Sequence, residues 1–507
     1  MNTVQRTMRR VQLVPLAALT LFFGFPVISM VVRFLRPNAL ADTITNSSLA
    51  GVWWFTTWQA AASTILTVIV GLPLTWALAR YSFPGARTIM GLVTVPFFMP
   101  AVVVATGVKA LMSSPSVTGI LWAHVVFNVA VIVRIVGPRW SLMDPTLEDI
   151  AADLGASTWR TFRHVTLPYI GDSLRQATAI VFMFCFSSFG VIAILGGISR
   201  RTIEAEVFIQ AVRLGDTTTA ISLSVLQAIV ILLVYSLGTR GQQRRQDELT
   251  LSTQQRRVPT RLRPILVAAT VIPTVIVAAP LLGVIVKSFL IDGSLTFNSY
   301  RWLFNGTTEA IGINAASTLV TSLVFAVACA AVTTLCALTI ASARNNSGLM
   351  NTLTAIPLMT SAVTLGLGVI VTFNQSPIDW RSERWLIPIM HCVIALPLAL
   401  RTLSPAVQAI PEETRQAAAS LGASPWRVWR RIDLPLLSPA IRRAAGLSAA
   451  ISLGEFGATS FLTRSDSTTI PLAIQQLLGH PGDTLTQSAF ALAALCVVAF
   501  TLALRAT

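Results

Sequence analysis

The chain has 507 residues, 54% of them hydrophobic and only 11% charged, with a formal net charge of +16 and a mean hydropathy of +0.70. A soluble domain carries about 25% charged residues, so this composition excludes an ordinary soluble enzyme or binding domain and indicates an integral membrane protein. The basic residues follow the polar segments between apolar runs instead of gathering on one soluble face, which argues for the lipid bilayer and against nucleic acid as a partner.

Apolar runs of the roughly 20 residues needed to cross the hydrocarbon core lie near 12–35, 58–79, 89–111, 118–137, 177–197 and 218–238. The first is long and keeps Arg33 and Arg36 ahead of the cleavage-like Ala39-Leu40-Ala41, so it reads as an uncleaved anchor. A segment rich in Gln and Arg, 239–263, has no apolar periodicity and reads as a solvated basic linker. A second set of runs follows near 264–289, 313–342, 349–373, 385–401, 440–463 and 486–504. The expected fold is all-α, about twelve transmembrane helices in two parallel six-helix halves, 1–238 and 264–507. Cytoplasmic loops carry the excess of Lys and Arg. Placing the N-terminus (Arg6, Arg9, Arg10) inside puts most of the 37 basic residues on that side, together with the linker. The five cysteines, all in apolar runs, read as packing residues without metal spacing.

Two polar, basic islands interrupt this pattern at 144–168 and 411–435. Ala151-Ala152-Asp153-Leu154-Gly155-Ala156-Ser157-Thr158-Trp159-Arg160, with Leu167-Pro168 beyond, returns as Ala418-Ala419-Ser420-Leu421-Gly422-Ala423-Ser424-Pro425-Trp426-Arg427, with Leu434-Pro435 beyond. The offset is a constant 267 residues. Asp144-Pro145 with Glu148 and Asp149, and Pro411 with Glu412 and Glu413, are helix-start signals. Gly155 and Gly422 are suited to end those helices in the left-handed conformation, and Ser157 and Ser424 to open the next. Each island is expected to fold as helix, tight turn, helix. The second helix presents Trp and Arg, which favour docking against a partner protein. An amphipathic helix on the inner leaflet is the competing explanation, but it does not require the same turn in both copies.

These islands resemble the EAA loop of permease subunits of binding-protein-dependent ABC importers: Glu-Ala-Ala, three residues, Gly, nine residues, Ile, one residue, Leu-Pro. Ala151, Gly155, Val165, Leu167 and Pro168 fit in the first copy, with Asp149 at the Glu position. Ala417, Ala418, Gly422, Ile432, Leu434 and Pro435 fit in the second, with Gln416 there. The resemblance implies a type I importer in the bacterial cytoplasmic membrane. Each loop would be gripped by one of two ATPase subunits, and substrate would be delivered by an extracytoplasmic binding protein. On this basis Asp149, Ala151, Gly155, Ala156, Ser157, Arg160, Leu167, Pro168, Gln416, Ala418, Gly422, Ala423, Ser424, Arg427, Leu434 and Pro435 are the coupling residues. The chain carries no G-x-x-x-x-G-K-[ST] loop around Lys109 or Lys287. ATP and Mg are therefore expected to belong to the partner ATPase, and no cofactor or metal to this chain.

Passages across the chain resemble the fused permeases for thiamine and thiamine pyrophosphate, with the ferric-iron permeases second. They include Trp58-Gln59-Ala60, Phe83-Pro84-Gly85, Ala123-His124-Val125-Val126-Phe127-Asn128, the stretch Phe184 to Gly190, and Ser452-Leu453-Gly454-Glu455-Phe456-Gly457. Glu455 lies within a span, where a carboxylate costs roughly 2.5–3.5 kcal/mol. It is expected either to meet a cationic substrate or a metal, or to pair with a buried Arg or take backbone hydrogen bonds at a helix break. Ser188, at the matching register of the first half, and Asn128 complete the expected substrate path. His124 and His391 read as interhelical hydrogen-bonding groups, and Arg134 as a snorkelling residue. Arg200–Glu206 and Ser465–Thr469 are read either as ordinary solvated loops or as contacts for the binding protein. A twelve-span secondary transporter shares the parallel halves but has no ATPase for duplicated islands to grip. An intramembrane enzyme would need clustered catalytic groups.

Overall fold

A computed structural model describes residues 12–34, 36–112, 114–197, 199–239, 256–342, 357, 360–375, 378–380, 383–464 and 466–506. The protein is all-α apart from three two-residue strand pairings among the described residues. Eight described helices are long and apolar enough to span a membrane. The count becomes nine if Ala86–Phe98 and Ala101–Leu111, bent by 107°, form one span. That bend follows from the sequence: Pro100 forces Met99 out of the helical region to ψ 155°, and the chain restarts in a new direction.

The twelve apolar runs of the sequence give fewer continuous spans for local reasons. Leu167–Phe186 is diluted by Asp172, Arg175 and Gln176, and breaks at Ser187 before Gly190–Leu195. Leu434–Gly454 carries Arg442 and Arg443, and breaks at Glu455 before Gly457–Leu462. Of the run 349–373, the described helix is Ala362–Thr372, and most of its start lies outside the described residues.

The 267-residue offset holds from element to element. Val117–Ser141 matches Leu386–Gln408, Leu167–Phe186 matches Leu434–Gly454, Gly190–Leu195 matches Gly457–Leu462, and Thr217–Thr239 matches Asp483–Ala506. In the first half Ser47–Arg80, Val117–Ser141 and Leu167–Phe186 pack together, and in the second Ala315–Ser342, Leu386–Gln408 and Leu434–Gly454 do the same.

The first helix of each half crosses over to the other half. Phe25–Phe34 packs on Ala362–Thr372, and Arg263–Phe289 packs on Ala101–Leu111. The second crossing is close: a Cβ on Gly107 would run into the Pro280 carbonyl, and Trp122 Nε1 donates to Ile276 O at 2.9 Å. One apolar core therefore runs through both halves.

The linker read as solvated lies mostly outside the described residues, but its end is docked. Tyr81–Ser82 pairs in parallel with Arg256–Arg257, and Val258 and Leu262 pack around Tyr81, Ala77 and Leu266.

Candidate functional site: twin loops and a cavity between the halves

The two islands fold alike. Helices Thr146–Asp153 and Glu412–Ser420 end at Gly155 (φ 78°) and Gly422 (φ 79°), a region that disfavours any side chain with a Cβ. Gly155 N donates to Ala152 O and Ala156 N to Ala151 O, both at 2.9 Å. Gly422 N and Ala423 N repeat this to Ala419 O and Ala418 O at 2.9 and 3.1 Å. This paired arrangement is the Schellman closure of a helix C-terminus. Short helices Thr158–Thr161 and Pro425–Val428 follow, each passing through a widened turn into the long helix beginning at Leu167 or Leu434. Asp144 Oδ1 takes the Thr146 N–H at 2.9 Å, and Ser157 Oγ the Arg160 N–H at 3.4 Å. Ser424 makes no capping bond, and Pro425 supplies the preset φ instead.

Exposure also matches position by position. Asp149, Gly155, Ser157, Arg160 and Pro168 are exposed, as are Gln416, Gly422, Ser424, Arg427 and Pro435. Ala151, Ala156 and Leu167 are half-buried, as are Ala418, Ala423 and Leu434. Large apolar side chains project at equivalent places: Leu154 is 83% exposed and Leu421 88%, Trp159 68% and Trp426 62%. Trp159 stacks on Phe162 and Trp426 on Trp429, which fixes both indoles.

Beneath the turns the tethers differ. In the first half Arg80, buried at the end of Ser47–Arg80, donates to Met143 O and to Glu148 Oε2, both at 2.6 Å, and Thr166 donates to Glu148 Oε1 at 3.2 Å. In the second, Arg415 stands at the Glu148 position and Asp433 at the Thr166 position, and they pair at 2.9 Å.

A cavity of about 400 Å³ lies between the halves. Its wall includes Phe97, Phe98, Phe127, Phe184, Phe189 and Phe456, together with Glu204, Glu455, Asn128, Ser188 and Ser361. Among the described residues, neither Lys nor Arg lines it. Arg134, read from the sequence as snorkelling, is exposed, lies 5.9 Å over the Phe98 ring and donates to Thr94. Phe189 and Phe456 occupy equivalent positions and stack on each other at 5.0 Å, so the pair marks the point where the halves meet. The three residues expected from the sequence to line a substrate path, Glu455, Ser188 and Asn128, all reach this cavity.

Their local roles differ. Glu455 Oε1 accepts from Ala458 N at 2.7 Å, Oε2 accepts from Thr459 N at 2.9 Å, and the Thr459 hydroxyl bonds to Oε2 as well. The helix break, stabilised by a carboxylate taking orphan backbone N–H groups, is thus the alternative that the structure displays. A Thr459 hydroxyl that donates to Glu455 accepts from His391 Nε2 at 3.0 Å, and His391 Nδ1 hydrogen-bonds with the Ser452 hydroxyl at 2.7 Å. In the first half His124 likewise joins Ser63 at 2.9 Å to Ser188 at 2.8 Å. The two histidines, 267 residues apart, each tie a helix to the break beside it. Asn128 Nδ2 donates to His124 O at 2.9 Å, while its Oδ1, in a residue 1% exposed, has no hydrogen-bond partner among the described residues.

Sequence reasoning missed Glu204. The stretch Arg200–Glu206 was read as a solvated loop or partner contact, yet Ile203–Phe208 is a helix tucked inward with Glu204 3% and Glu206 4% exposed. Ile203 N is held by Thr56 Oγ1 at 3.0 Å, as Ile470 N is held by Ser322 Oγ at 2.9 Å. Glu206 pairs with Arg201 at 3.1 Å and accepts from Gln210 at 2.8 Å. Glu204 instead faces the cavity and accepts from Gln227 Nε2 at 3.1 Å. The available signal was Gln227, an amide inside an otherwise apolar span. In the second loop, Ser467, Thr468 and Thr469 are also buried, and Arg384 pairs with Asp466.

Residues 252–506, half of the chain, match the family described as binding-protein-dependent transport system inner membrane component. The chain belongs to this family. It is thus a multi-pass inner-membrane permease, related across most of its length to thiamine transport permeases. The thiamine transport system permease protein of Brucella abortus is 26% identical over 454 residues, covering 84% of this chain and 81% of the relative. Those of Salmonella typhimurium and Escherichia coli are 25% and 24% identical, covering 92% and 90% of this chain and 91% and 89% of the relatives. Among the described residues, no three His, Cys, Asp or Glu side chains gather as a metal site.

Proposed function

We propose that this permease carries thiamine or thiamine pyrophosphate inward through the cavity between its halves. The two turns at 144–168 and 411–435 would each dock one copy of a separate ATPase, with an extracytoplasmic binding protein supplying the substrate. The observation that carries the substrate reading is the cavity wall: among the described residues it holds six phenylalanine rings and two carboxylates, with no Lys or Arg. Aromatic faces attract a ring cation, and the attraction grows as water is excluded. The coupling reading is supported by Leu154 and Leu421, and by Trp159 and Trp426, which project at equivalent positions as apolar anchors of the kind that dominate docking interfaces.

In this reading the N-terminus and both turns lie in the cytoplasm. Residues 1–238 and 264–507 are the two halves that rock against each other, and ATP and Mg are bound and used by the ATPase. Asp149, Ala151, Arg160, Gln416, Ala418 and Arg427 flank the two turns on the docking surface. Ferric iron is the second reading, favoured by the carboxylate oxygens of Glu204 and Glu455, which suit a hard cation. Proteoliposomes holding this chain with its ATPase and binding protein decide between them. ATP-dependent uptake of labelled thiamine without ferric iron uptake is the expected result, and the reverse overturns the assignment.

A further inference from the structure

Both cavity carboxylates are candidates to meet a cation, but they are not equivalent. Glu455 is committed to the fold: Ala458 N, Thr459 N and the Thr459 hydroxyl occupy its two oxygens, with His391 Nε2 3.4 Å away. Neutralising it would loosen the half-helix Gly457–Leu462 before it changed recognition. Among the described residues, Glu204 takes no backbone hydrogen bond of this kind. Its hydrogen-bond partner is a side chain, Gln227 Nε2, and Ser361 of the opposite half, whose oxygen already accepts from Val363 N at 3.1 Å, stands on the same cavity wall.

A second, independent observation lies on the same cavity. Asn128 Oδ1 is a buried acceptor without a partner among the described residues, and its amide orientation is set by Nδ2 donating to the His124 carbonyl. A buried acceptor left unpaired costs about 1–3 kcal/mol, a cost that an incoming N–H group would relieve. The offset puts Pro471 opposite Glu204 and Ala395 opposite Asn128. Both groups with capacity for a ligand therefore belong to the first half.

We infer that Glu204, and not Glu455, receives the positive charge of the substrate, with Asn128 Oδ1 accepting an N–H from another part of it, so that the first half of the permease reads both the cationic ring and an N–H donor. This rests on the reading of the permease as a thiamine importer. The test uses the full complex in proteoliposomes with two probes: thiamine, and an analogue whose thiazolium nitrogen is replaced by carbon so that the ring is neutral. Glu204→Gln should raise KM for thiamine about tenfold to a hundredfold, as expected on losing the attraction between a buried carboxylate and a ring cation that has no N–H to donate. It should leave uptake of the neutral analogue at or above the wild-type level. Glu204→Asp should recover part of the thiamine preference. Glu455→Gln should lower the maximal rate for both probes alike. Wild-type thiamine uptake with unchanged selectivity in Glu204→Gln overturns this assignment alone, and so does a selectivity change confined to Glu455→Gln. Failure of the wild type to take up thiamine overturns the functional reading and takes this assignment with it.

Discussion

The two turns and the two tethers beneath them have diverged to different degrees. At the surface, Gly155 and Gly422, Leu154 and Leu421, and Trp159 and Trp426 share conformation and exposure across the offset. One layer below, Glu148 with Thr166 and Arg80 does in the first half what Arg415 with Asp433 does in the second. A buried tether needs only to satisfy its own charges, so sign and partner are free to change. Under the proposed function, an exposed turn that docks a second molecule must keep its shape. The cavity follows the tethers: Glu204, Asn128 and Ser188 face Pro471, Ala395 and Glu455 in register. The molecule is duplicated on its outside and asymmetric within.

The largest effect is expected from moving one tether into the other half. Glu148→Arg with Thr166→Asp reproduces the second half's pair, but it deprives Arg80, 2% exposed, of its carboxylate. Removing one partner of a buried pair costs about 3 kcal/mol or more, so thermal unfolding of the detergent-solubilised double variant should shift sharply downward. Adding Arg80→Met should restore most of the loss. If the double variant is as stable as wild type, the two tethers are interchangeable and the contrast fails.

A smaller stability effect, with a large functional one, should follow from Gly155→Leu and Gly422→Leu. A left-handed backbone costs a residue with a Cβ about 1–2 kcal/mol, which each exposed turn can absorb by changing shape. The double variant should reach the membrane folded yet lose ATP-dependent uptake about tenfold or more, as expected when an anchored interface is disrupted. Unequal single variants would show that the turns, alike in shape, are not used alike.

The smallest expected difference separates the serines. Ser157→Ala removes a cap and should cost about 0.5–1 kcal/mol, whereas Ser424→Ala, where no capping bond exists, should leave the melting temperature unchanged.

Much of the architecture is legible in the sequence because it is written twice: spans, turns and loop glycines recur at one offset, and Gly155 and Gly422 have a local reason to be glycine. The break at Glu455 was legible from Gly454 and Gly457 beside an intramembrane carboxylate. Glu204 was not. Arg200-Arg201-Thr202-Ile203-Glu204 has the composition of a loop, and what holds it inward, Thr56 and Gln227, comes from two distant helices. The division of labour between the carboxylates was hidden for the same reason, since it depends on which oxygens the backbone already occupies.

The crossing of the first helices has a consequence for biogenesis. The ribosome releases residues 13–34 long before residues 362–372 exist, at about 5–20 residues per second, so the first helix must wait in lipid without the surface on which it finally packs. Lipid tails satisfy an apolar helix while it waits, but the core of the first half cannot close until the second has been threaded. A chain stopped at the linker would expose the bent pair Ala86–Phe98 and Ala101–Leu111 where Arg263–Phe289 should lie. Such a fragment would offer membrane quality-control proteases an unfinished face, making completion of the whole polypeptide the point of commitment to a stable fold.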